Sequence, residues 1–192
     1  MVNSFENLDA LVQLLNQDVC RCYGELEEAV SHEDYEFWAR VTTRSVFAAI
    51  SGMCEYLSAQ AFTAESNKAF GGEISLGKLS VLAGETYFVN DNGEIRPKPI
   101  RIRFLDQVMF SLNSYAEAQC VTYRAKKDTA GWQSLKNAVA TRNKITHPKD
   151  AAALEMTKAD LAEVKAALHW FLNELTEILR AKGCDIQPPP IS

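Results

Sequence analysis

Arg142, Asn143 and His147 fall within about one and a half turns of an expected helix, and together their types suit phosphodiester chemistry. Histidine titrates near neutrality, as a proton-transfer residue must. His147 precedes Pro148, and the residue before a proline disfavours helical geometry, so the helix is expected to stop there. Carbonyls at a helix C-terminus are unpaired and partly negative, a setting that favours an imidazolium ion. Asn143 lies four residues earlier on the same face, where its amide is in reach of the ring and can fix its tautomer. Arg142 carries a permanent charge on a planar fork that matches phosphate oxygens. The plain structural alternative is a helix end at which the arginine pairs with an acid and the histidine caps carbonyls.

Charge distribution points to the same class of ligand. The chain nets −5, but residues 96–150 hold eleven Lys or Arg against four acids, a net of +7, which leaves −12 elsewhere. Such asymmetry is a hint of polyanion contact, although a solvated helical face gives it too. The candidate RNA-binding side chains are Arg96, Lys98, Arg101, Arg103, Arg124, Lys126, Lys127 and Lys144. Tyr115, Tyr123 and Trp132 lie near enough in sequence to stack bases, with core packing the competing role, above all for the tryptophan.

Other chemistry-bearing residues read as structural. Cys20, Cys22 and His32 lack a second ligand pair and sit in or beside a helix, so zinc is not expected. His169 adjoins Trp170 on the last helix, and His32 lies in an acidic loop. Arg40 and Arg44 share a helix face and either flank a phosphate groove or are ordinary surface arginines. Glu25, Glu27 and Glu28 read as a solvated face.

The run Arg142-Asn143-Lys144-Ile145-Thr146-His147-Pro148 resembles the signature of the HEPN superfamily of helical-bundle proteins, an arginine and a polar residue followed after a short spacer by histidine. The motif covers seven residues; the architectural likeness covers most of the chain more loosely. The resemblance implies a metal-independent endoribonuclease without cofactor, acting as a homodimer whose two motifs meet in one composite cleft. It makes Arg142 and His147 catalytic, with Asn143 in support. It also implies a toxin–antitoxin or anti-phage defence setting, with an antitoxin or regulatory protein as a further partner. Other members have lost catalysis and bind RNA, nucleotide or protein, which is the alternative reading. In the enzymatic reading RNA supplies its own nucleophile, the 2′-hydroxyl, so no metal is needed and DNA is inert.

These residues need helices to hold them. Leu8, Val12, Leu15, Val19, Cys22 and Leu26 form an alternating four–three stripe over 5–30. A second helix is expected over 35–62 with Asp34 as N-cap and Trp38, Val46, Ile50, Met53 and Leu57 inward. Glycines and prolines break the pattern over 63–100, where Asn90-Asp-Asn-Gly93 predicts a hairpin turn within 86–96. Further helices are expected over 103–124, 131–147 and 158–181, the last opened by a capping box at Thr157 and Asp160. The expected fold is therefore all-α: an antiparallel bundle of about five helices with a small β-hairpin insertion at about 63–102. It forms a single domain over 1–185, followed by a disordered Pro-rich tail over 186–192.

Composition bounds the rest. With 47% hydrophobic and 23% charged residues the chain is expected to fold rather than stay disordered. No apolar run is long enough to span a bilayer, so no membrane partner is expected. The first residues lack a basic start and apolar stretch, and five scattered cysteines suit a reducing compartment, so the expected location is the cytoplasm.

Overall fold

The structure is a computed structural model and describes residues 4–68 and 75–184. Gly71, Gly72 and the Pro-rich tail lie outside the described residues. Contacts divide the chain into two compact units, Met1–Met53 with Ala125–Ser192, and Cys54–Arg124. As the helical periodicity and the Asn90–Gly93 turn predict, the described residues are mostly helical with one small antiparallel sheet.

In the first unit, α1 (Ser4–Glu27) and α2 (His32–Lys68, of which the part up to Met53 belongs here) are joined by a tight turn. Ser31 caps α2, not the expected Asp34. Its hydroxyl accepts from the Asp34 amide at 3.0 Å and donates to the Asp34 carboxylate at 2.6 Å. The Thr42 hydroxyl donates to the Cys22 carbonyl, and Gly52 faces Leu15, so the two helices run antiparallel. Two further helices, α5 (Ala130–Thr146) and α6 (Lys158–Ala181), also pack antiparallel. Thr141 meets Asp160 at one end, and Gly131 meets Trp170 towards the other. Arg44 and Phe47 on α2 contact Ile145 and Arg142 on α5, which sets that pair antiparallel too.

The spacing of Leu161, Val164, Leu168, Phe171, Leu175 and Leu179 predicts one inward stripe on α6, and all six are buried as the floor of this unit. Each such side chain contributes about 1.5–3 kcal/mol on full burial. Thr157 and Asp160 form the expected capping box. A single 3-10 turn, Ala151–Leu154, fills the link between α5 and α6.

The second unit holds the rest of α2, a short helix α3 (Leu76–Leu82), strands β1 (Glu85–Val89) and β2 (Ile95–Pro99), and α4 (Phe104–Ala118). The hairpin forms where Asn90 and Gly93 predict it, with Gly93 at φ +75°. α4 ends before the expected 124 because Cys120 takes a left-handed φ of +57°, and the Val121 amide turns back to the Ala116 carbonyl. The Lys78 ammonium bridges Glu65 and Glu117, tying α3 to α2 and α4. Burial pushes the Cys54 thiol up to about 12, although a hydrogen bond with Ser111 opposes this, so it is a packing group and not a nucleophile.

Candidate functional site

α5 begins at the Thr129 cap, whose hydroxyl accepts from the Trp132 amide, and ends at Thr146. His147 is the C-cap, at φ −127° and ψ 62°, immediately before Pro148. The helix therefore stops where the proline predicts. The carbonyls of its last turns have partners other than the imidazole. The His147 amide donates to the Asn143 carbonyl at 3.0 Å, the Thr146 hydroxyl to the Arg142 carbonyl at 2.7 Å, and Arg44 to the Ile145 carbonyl at 3.3 Å. The ring of His147 is thus not consumed in capping, and the residue is exposed.

His147 lies on an open surface depression of about 930 Å³ in the first unit. Asn143, Lys144, Lys149 and Asp150 share its lining, with Ala152 and Ala153 of the 3-10 turn. Asp150 is occupied, since its carboxylate accepts from the Ala153 amide at 2.9 Å. Lys144 donates to the Glu155 carbonyl at 3.1 Å, which holds its ammonium near the rim. Lys149 makes no hydrogen bond or ion pair among the described residues. The depression therefore offers an imidazole, an amide and two ammonium groups beside the one hydrogen-bonded carboxylate of Asp150, a cationic balance that suits an anionic ligand.

Arg142 is not part of this lining. Five residues of helix turn the chain through about 500°, so Arg142 and His147 leave α5 about 140° apart. Arg142 points to the seam with α2, where its guanidinium carbon lies 5.5 Å from the centroid of the buried Phe47 ring. It also donates to the Asn143 amide oxygen at 3.3 Å. The side chain of Asn143 is thus engaged by Arg142, and its link to His147 runs through the main chain.

The other basic residues are dispersed between the two units. Lys126 is held by both oxygens of Glu177, at 2.7 and 2.9 Å, and that carboxylate raises its pKa. Lys127 sits over the Trp132 ring at 5.8 Å. In the second unit, Arg96 pairs with Glu94 at 2.6 Å, Lys98 lies two residues on in β2, and Arg101 lines a different pocket. Arg103 is the N-cap of α4, and Arg124 ends the unit. Of the aromatics, Tyr115 and Trp132 are buried, the latter against Trp170 at 5.2 Å, so neither is placed to stack a base.

Arg44, which the sequence left as either a flank of a phosphate groove or an ordinary surface arginine, reaches the end of α5, and Lys149, counted only within the basic stretch, lines the depression. The packing of α2 on α5 brings Arg44 to the helix end, a contact across 101 residues that local periodicity does not report. The signal for Lys149 in the sequence was membership of the basic stretch over 96–150. Arg40, also set aside, donates to the Leu154 carbonyl and so ties α2 to the 3-10 turn. His169 lies away from the depression on α6, where burial, then Lys165, lower its pKa. Among the described residues, no group of His, Cys, Asp and Glu is arranged to hold a metal ion. No helix among them is long and apolar enough to cross a membrane.

Comparisons with protein-family models, curated proteins and solved structures find no match for this chain.

Proposed function

We propose that this chain is a HEPN-like, metal-independent endoribonuclease, of the kind deployed as a toxin or anti-phage effector. The observation that carries the reading is the exposed His147 at the C-cap of α5, beside Asn143, Lys144 and Lys149 on one open depression. An imidazole there takes the proton of an RNA 2′-hydroxyl. The oxygen attacks the adjacent phosphorus, and the P–O5′ bond breaks. The 5′-oxygen leaves with a proton, and a 2′,3′-cyclic phosphate remains. Lysine and arginine charge offsets the charge that builds on phosphorus.

One imidazole serves only one side of this in-line displacement. Two copies facing one cleft supply a base and an acid, and they supply two Arg142 side chains. The second reading is a non-catalytic module that binds RNA, nucleotide or a protein partner. It draws on the contacts of Arg142 with Phe47 and Asn143, which leave phosphate recognition within one copy to the lysines.

Incubation of the pure protein with mixed RNA and EDTA, followed by analysis of product ends, tests the proposal. Cleavage with cyclic phosphate ends supports the ribonuclease. RNA that is bound but uncut supports the binding module.

A further inference from the structure

In the second unit α2, α3, α4 and residues 100–102 after β2 line an open pocket of about 560 Å³. A space of that size holds a small molecule. Leu82 at the end of α3 is buried there, and Val81, Ile100, Ile102 and Phe110 are half-buried around it. Two sets of contacts fix these walls. The Ile100 amide donates to the Gly84 carbonyl at 2.9 Å, and Lys78 ties α3 to Glu65 on α2 and Glu117 on α4.

Four polar side chains share the lining: Glu55 and Ser58 on α2, Arg101 after β2, and Gln107 on α4. None of them has a side-chain hydrogen bond or ion pair among the described residues. Elsewhere in the unit Lys78 is bound to two carboxylates and Arg96 to Glu94. Glu55 and Arg101 carry opposite charges on one pocket, yet they do not pair with each other. The carboxylate is left to accept from a ligand, and the guanidinium to donate to one.

This mixture selects among ligand classes. A purely apolar molecule would strip water from two charges and return no hydrogen bond. A phosphate or other polyanion is repelled by Glu55, and a cation alone leaves Arg101 unmatched. A zwitterion matches both charges, and an apolar body covers Val81, Ile100, Ile102 and Phe110. We propose that this pocket binds a free α-amino acid with an apolar side chain. Arg101 takes the carboxylate with its planar fork, and Glu55 takes the ammonium. The Ser58 hydroxyl and the Gln107 amide supply further bonds to that polar head. The side chain lies on the apolar residues, where loss of wet apolar surface favours binding.

This binding does not depend on the RNA reading, and its test reads occupancy rather than cleavage. The full chain is titrated with L-phenylalanine to millimolar concentration and followed by two-dimensional NMR. The main-chain amides of Gly84, Ile100, Arg101 and Ile102 are expected to shift and saturate. Three analogues each remove one feature. N-acetylphenylalanine lacks the ammonium, phenylalaninamide lacks the carboxylate, and glycine lacks the apolar body. Each is expected to bind about tenfold or more weakly, the scale set by a charge-assisted hydrogen bond or a buried side chain. Arg101→Ala should weaken phenylalanine by as much and leave phenylalaninamide unchanged. Glu55→Gln should weaken phenylalanine and leave N-acetylphenylalanine unchanged. Both residues are exposed, so both variants should keep the wild-type fold. The absence of a saturable shift at these amides overturns the proposal. So does an analogue that binds as well as phenylalanine, or a variant that weakens phenylalanine and its blocked analogue equally.

Discussion

The Arg142 guanidinium lies over the buried Phe47 ring, 5.5 Å from its centroid, and so locks the end of α5 that carries His147 against α2. Cation–π contacts of this type contribute about 0.5–2 kcal/mol according to how far they are desolvated. A double-mutant cycle with Phe47→Leu and Arg142→Ala should give a coupling of about 0.5–1 kcal/mol in urea unfolding. Additive effects would mean that the contact does not stabilise the fold.

Two glycines in the first unit should respond to alanine with opposite signs. A Cβ at Gly131 would lie 2.7 Å from Trp170 Cδ1 and 2.8 Å from Trp170 Cβ, and the latter is fixed to the backbone of α6. Overpacking of that kind costs about 1–3 kcal/mol, which exceeds the gain of up to about 1 kcal/mol in helix propensity. Gly24 in α1 has nothing within 4 Å of a built Cβ. Thermal unfolding should therefore show Gly131→Ala less stable than wild type and Gly24→Ala more stable.

The cap of α6 gives stability a pH dependence. Burial alone would raise the Asp160 carboxyl. Hydrogen bonds from the Thr157 hydroxyl and amide and from the Thr141 hydroxyl, with the charge of Lys144, instead hold it below its usual range. The folded pKa is depressed, so this stabilisation is fully present above the unfolded carboxylate value. It is lost as pH falls through the folded one. Wild type should exceed Asp160→Asn in urea stability at neutral pH, and the gap should close in acid. A gap that does not vary with pH would contradict this. Thr157→Ala should cost about 1 kcal/mol at neutral pH.

Lys149 and Lys126 separate available charge from engaged charge. Lys149 lines the depression without a partner among the described residues, whereas Lys126 is clasped by Glu177. Lys149→Ala should weaken RNA binding and lower the slope of log affinity against log salt by about 0.7–0.9. Lys126→Ala should change both much less. Filter binding across a salt series checks the pair, and the reverse order would move the interface away from the depression.

Much of this architecture was legible from local pattern. The α6 stripe, the Thr157/Asp160 box, the stop at Pro148 and the Asn90–Gly93 turn each rest on near-neighbour chemistry, and each lies where the spacing predicts. Misses came where a residue acted against its type or at long range. Ser31 rather than Asp34 caps α2, because the serine alone stands outside the first turn. Cys120 adopts a backbone region usually left to glycine, so nothing in its identity announced the end of α4. At the site, spacing placed His147 at the helix end correctly. It did not reveal that Arg142 turns to Phe47, because that contact joins residues 95 apart in the chain.

The central claim is that His147 moves the proton in RNA cleavage. His147 is exposed at a helix cap, so His147→Ala should leave the circular dichroism spectrum and urea midpoint close to those of wild type. The decisive measurement is the cleavage rate of wild type and His147→Ala on the same RNA mixture in EDTA. The account predicts cyclic phosphate products from wild type and a loss of about 10²- to 10⁴-fold in the variant. Equal rates in the two proteins, or no cleavage by wild type over varied RNAs, would contradict it.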